Sequence, residues 1–141
     1  MDQRLTIVGL GVDNLAVSNH FYSEVLGWTK TSDSNERIAF YKLNGILLSL
    51  YSRENLAEDA HVAAAGIGFK GVTLAYNARS REEVDQIIDQ LRAKDVRIIK
   101  EPQEVFWGGY SSYIADPDKH LWEIAFNPFL PMDEDRNVVI T

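Results

Sequence analysis

Glu123 is the residue of this chain best placed to do chemistry. It sits in Leu121-Trp122-Glu123-Ile124-Ala125-Phe126, where Trp122, Ile124 and Phe126 alternate with Glu123 and Ala125. A strand sends successive side chains to opposite faces. If the apolar trio packs under a helix, Glu123 points the other way. A carboxylate among aromatic groups has its pKa raised by desolvation. It could then act as a general base or as the counter-charge of a cation. A carboxylate satisfied by a tyrosine or a water, with no chemical task, fits the same pattern. A second feature is Phe106-Trp107-Gly108-Gly109-Tyr110. Its glycines permit close approach to the backbone, and Trp107 and Tyr110 could stack on a flat or cationic ligand. Ordinary aromatic packing at a strand bend is the alternative. Three histidines are available. His20 falls on a helix and His61 in a linker. His120 is an odd number of residues from Glu123, so their side chains should diverge.

Composition bounds the function. The chain has 141 residues and a formal charge of −7, one domain's worth, with a surface that repels nucleic acid and anionic lipid. Neither a nucleic-acid nor a membrane partner is expected. The acidity could attract a cationic ligand or simply keep the protein in solution. There are no cysteines, which removes disulfides and thiolate metal sites and favours a cytoplasmic location. Met1-Asp2-Gln3-Arg4 shows no signal-peptide character, and no apolar run is long enough to span a bilayer.

The elements that must hold these residues come in a repeated order. Leu5–Val12 alternates as a strand, Asn14 can cap the helix that follows, and Gly27 can end it. Trp28–Ser32, Arg37–Leu43 and Ile46–Tyr51 read as strands, the last two joined at Asn44-Gly45. Residues 53–68 form a linker with a short helix near Glu54–Ala60. Then Gly71–Asn77 is a strand, and Ser80-Arg81-Glu82-Glu83 is a capping box. Val84, Ile87, Ile88 and Leu91 make a helical face. Val96–Lys100, stopped by Pro102, Phe106–Ala115 and His120–Phe126 complete the strands, with a turn at Asp116-Pro117-Asp118. Phe21, Tyr22, Trp28, Trp122 and Phe126 are assigned to the core. Tyr41, Tyr51 and Tyr113 are weaker candidates for the ligand wall, with core or rim packing the default reading for each.

The chain is therefore expected to be one α+β domain of two βαβββ modules. Module one covers about residues 5–52, module two about 69–128, and residues 129–141 form a tail. Together the modules predict an open, curved, eight-stranded mixed sheet, with helices outside and a ligand cup inside.

Several segments resemble the vicinal oxygen chelate superfamily, the glyoxalase / bleomycin-resistance / extradiol-dioxygenase group. They are Val12-Asp13-Asn14-Leu15, Phe21-Tyr22 and Leu26-Gly27-Trp28 in the first half. In the second they are Asp116-Pro117-Asp118 and Leu121-Trp122-Glu123-Ile124. Lys119 departs from the pattern, which has glycine there. The resemblance implies a divalent metal held at four positions, two per module. Mapped onto this chain, the positions hold Ile7, Ser49, Thr73 (or Val72, if the register slips by one) and Glu123. One carboxylate cannot hold the metal tightly, so no cofactor is expected. The resemblance implies a metal-independent small-molecule-binding protein, paired as a homodimer. Ile7, Ser49, Thr73, Trp107, Tyr110 and Glu123 would line the site. The alternatives are a glyoxalase-like lyase, isomerase or dioxygenase using Glu123 as base or metal ligand, and a subunit-interaction role with a vestigial cup.

Overall fold

The computed structural model describes residues 7–61, 63–70, 72–106 and 108–139. Two compact units divide the chain, Met1–Gly68 and Phe69–Thr141, and each has a sheet with a helix on one face. No helix among the described residues is long and apolar enough to cross a membrane.

In the first unit, β1 (Ile7–Val12) leads through Asn14 into α1 (Leu15–His20). Asn14 Oδ1 accepts from the N–H groups of Ala16 and Val17 at 3.0 and 3.1 Å, satisfying two donors that the first turn leaves open. A π-helical turn over Phe21–Val25 continues α1. Gly27, at φ +75°, ends it, with the Trp28 N–H bonded to Tyr22 O. β2 (Ile38–Lys42) and β3 (Leu47–Ser52) follow, and the sheet order is β1-β3-β2. Of the Asn44-Gly45 pair only Gly45 takes a positive φ. Val12, Tyr22, Ala39, Tyr41, Leu48 and Leu50 are fully buried on the helix side, where the Tyr22 ring lies 5.5 Å from Trp28 and 5.7 Å from Tyr41.

The strand expected at Trp28–Ser32 is reduced to one bridge, Lys30 to Tyr41. The Ser34 hydroxyl accepts the Phe40 N–H, and Asn35 Oδ1 accepts those of Arg37 and Ile38. Side chains thus take donors that a longer ladder would need. α2 (Arg53–Asp59) opens the linker.

The second unit runs β4 (Thr73–Asn77), α3 (Arg81–Arg92), β5 (Arg97–Glu104), β6 (Tyr110–Ala115), β7 (Leu121–Phe126), in sheet order β4-β7-β6-β5. The expected starts at Leu5 and Gly71 lie outside the described residues. Ser80 Oγ accepts the Glu83 N–H at 3.1 Å as the capping box requires. Glu83 reaches back one residue further than in the usual box, to the Arg79 N–H. Val84, Ile88 and Leu91 are buried, packed on Trp122, Ile124 and Ile114 of the same apolar face.

Two expectations fail here. Pro102 does not stop β5, because β5 is an edge strand and a missing N–H there costs no ladder bond. Phe106 is not in β6: the Gly108 N–H bonds to Val105 O and the Val105 N–H to Gly109 O, with Gly108 at φ +92°, and β6 begins only at Tyr110. The α+β class stands, with an open sheet of three strands in the first unit and one of four in the second, seven strands among the described residues, and the Lys30–Tyr41 bridge where an eighth was expected.

Candidate functional site

Register decides which side chains share a face. In β7, Trp122 and Ile124 are buried on the α3 side, so Leu121, Glu123 and Ala125 face away from α3. Glu123 stands opposite Tyr113 of β6 and Ala75 of β4, and Leu121 opposite Thr73. Lys100 of β5 stands opposite Tyr113. Thr73, Glu123, Ser111, Tyr113 and Lys100 therefore occupy one face, drawn from all four strands.

Their polar atoms are connected. The Ser111 hydroxyl, 1 % exposed, donates to Glu123 Oε1 at 2.6 Å and accepts from Lys100 Nζ at 3.2 Å. The Lys100 ammonium lies 5.2 Å from the centre of the Tyr113 ring, within cation–π range. Burial pushes the Tyr113 phenol pKa up. The neighbouring Glu123 charge pushes it further the same way, and a hydrogen bond with the Thr73 hydroxyl opposes both. A carboxylate, a phenol, an ammonium and a hydroxyl thus form one linked group. It can accept a proton, donate hydrogen bonds and stabilise charge of either sign.

In the first unit, Ile7 and Ser49 also share a face. Gly9 stands opposite Ser49 and Ile7 opposite Leu47, and this face is the one away from the buried Leu10, Leu48 and Leu50. A Cβ on Gly9 would lie 3.4 Å from Ser49 Oγ, so the glycine leaves that hydroxyl uncovered by its neighbour. Ser49 itself is buried. Ile7 and Ser49 thus share one face in the first unit, and Thr73 and Glu123 share one in the second.

Tyr110 does not join them. It stands opposite Phe126, on the α3 side, and its hydroxyl donates to Asp85 of α3 at 2.9 Å. Burial first and Asp85 second raise its pKa. Trp107 lies outside the described residues. His120 turns from Glu123 as its odd spacing requires, with Nδ1 2.8 Å from Asp116 Oδ2. Asp116, Asp118 and His120 bring their ligating atoms within 4.8 Å of one another. Asp116 Oδ1 is spent on the backbone N–H groups of Asp118 and His120, which makes the trio the brace of the β6–β7 turn.

Sequence reasoning missed Lys100 and Ser111. Glu123 gave a signal in its alternation, and Ser111 could have been found from it by pairing the two strands across the Asp116-Pro117-Asp118 turn.

This is a two-module α+β protein with a polar group on the helix-free face of its second sheet. The Glyoxalase/Bleomycin resistance protein/Dioxygenase superfamily pattern matches residues 4–124, and the chain belongs to that family. A glyoxalase-related enzyme from Fulvimarina pelagi is similar at 35% identity and TM-score 0.86, covering 98% of each chain. A glyoxalase/bleomycin resistance protein/dioxygenase from Nocardioides is similar at 24% identity and TM-score 0.76, covering 94% of this chain and 90% of the other. The uncharacterized protein YqjT of Bacillus subtilis is 27% identical over 125 residues, 84% of this chain and 94% of its own.

Proposed function

We propose that this chain binds a small organic molecule on the face that carries Glu123, without a divalent metal. The observation that carries the reading is the bond from Ser111 to Glu123, 2.6 Å long and itself braced by Lys100. A divalent ion at the family positions needs several anionic or imidazole donors. Ile7 offers none, and Ser49 and Thr73 offer neutral hydroxyls. The only carboxylate already accepts a hydroxyl, and a cation stands one atom further on. The donor set does not fit the metal, and the linked group fits a polar ligand.

A second reading is supported by the second carboxylate oxygen. Glu123 Oε2 has no hydrogen-bond partner among the described residues, so it is free to take a proton as the base of a lyase, isomerase or dioxygenase. A lactoylglutathione lyase from Agrobacterium tumefaciens shares the fold at 19% identity. A cytoplasmic homodimer is part of the proposal, resting on the lack of cysteine and on the family resemblance.

The test is metal per chain by plasma mass spectrometry, after exposure to Ni²⁺, Zn²⁺, Mn²⁺ or Fe²⁺ and desalting. Far less than one ion per chain is expected for each. Close to one ion per chain, lost on Glu123→Ala, would overturn the reading.

A further inference from the structure

β5 is regular to Ile98 and irregular beyond it. Arg97 stands opposite Ala115 and Ile98 opposite Ile114. An unbroken ladder would next set Ile99 opposite Tyr113, but Lys100 stands there. One extra residue re-aims every side chain that follows it. A second slip lies between Lys100 and Gln103, around Pro102, which has no N–H for a ladder. Two irregularities therefore flank a single side chain. Their effect is to give Glu123's face an ammonium where a regular strand would have put an isoleucine.

That ammonium is underused. Its hydrogen bond to Ser111 goes to a neutral hydroxyl, and it forms no ion pair among the described residues. A half-buried ammonium whose nearest carboxylate, Glu123, is held one hydroxyl away is only partly compensated, and an incoming anion in direct contact offsets the remaining cost. Glu123 would repel a bare anion. A hydroxyl on the same ligand, donating to Glu123 Oε2, turns that contact attractive.

We propose that Lys100 is the specificity-determining residue of this face, and that the ligand is a hydroxy-substituted organic acid. Lys100 takes the carboxylate, Glu123 takes the hydroxyl, and the Tyr113 ring forms a wall. The inference rests on the binding function proposed above. It also reverses, at this one face, the preference for cations that the net charge suggests.

The probes are 3-hydroxybenzoate, 3-hydroxybenzamide, which lacks the charge, and benzoate, which lacks the hydroxyl. Each is titrated into ¹⁵N-labelled protein and followed by NMR at the amides of residues 100, 111, 113 and 123. The hydroxy acid is expected to bind at least tenfold more tightly than either relative. Lys100→Met should bring it down to the level of the amide, and Lys100→Arg should keep the preference. The comparison of acid with amide on the unaltered chain stands even if Lys100→Met does not fold. Equal binding of acid and amide overturns the role of Lys100 and leaves the binding function intact. No shift at these amides with any probe overturns the ligand class, whereas only the metal measurement overturns metal independence.

Discussion

Ser111 and Glu123 are diagonal neighbours on adjacent antiparallel strands. Glu123 pairs in register with Tyr113, two residues on from Ser111, yet the Ser111 hydroxyl meets Oε1 at 2.6 Å. Diagonal neighbours lie within reach of longer side chains, and glutamate has the length to close the gap. The serine thereby joins a carboxylate and an ammonium that make no direct ion pair.

Ser111→Ala should therefore be more costly than a small polar-to-apolar change suggests. It removes a hydrogen bond to a charged group and leaves Lys100 and Glu123 without their shared partner. A loss of about 1–3 kcal/mol is expected, measured by urea denaturation. A change below about 0.5 kcal/mol, the ordinary size for an uninvolved surface site, would show that the link contributes nothing to stability.

Tyr113 gives a pH signature. Its pKa is raised above 10.0, first by burial and then by Glu123. Below pH 10 the phenol is protonated in folded and unfolded chains alike, so this group adds no pH dependence. Above it the unfolded chain releases the proton while the folded chain still holds it. The unfolded state then binds fewer protons, and stability falls as pH rises toward the folded pKa. Glu123→Gln removes the second cause. One tyrosine should then titrate at lower pH, followed by phenolate absorbance, and the alkaline loss of stability should shrink. An unchanged titration would place the Glu123 charge too far away to matter.

The repeat, the α3 capping box and the aim of Glu123 away from the helix were legible, because each depends on residues close in sequence. Period-two alternation across Trp122, Glu123 and Ile124 is a local fact, and the structure keeps it. Lys100 was not legible. Whether Ile99 or Lys100 faces Glu123 depends on slips against β6, and register is settled between strands rather than within one. Tyr110 failed for a related reason. Reading Phe106–Ala115 as one strand hid the bonds that tie Val105 to Gly108 and Gly109, and the parity that follows sets Tyr110 beside α3. The expected strand at Trp28–Ser32 lost its partner's donors, since the N–H groups of Arg37, Ile38 and Phe40 go to the side chains of Ser34 and Asn35, which propensity along the segment does not register.

Lys119 supplies the third test. It holds φ +66° in the β6–β7 turn, with its N–H bonded to Asp116 O at 3.0 Å. The left-handed region costs an L-residue about 1–2 kcal/mol, and glycine enters it freely, which accounts for the glycine of the family pattern here. Lys119→Gly relieves that strain but also loosens the unfolded chain, returning about 0.4–1 kcal/mol. The Lys119 side chain is exposed and forms no ion pair among the described residues, so little else is lost. The expected net is a gain of up to about 1 kcal/mol, or roughly 2–4 °C in Tm for a chain of this size, read by calorimetry. Lys119→Ala keeps the strain and should give no gain. If the glycine variant melts lower than the parent, the turn is not strained at this residue.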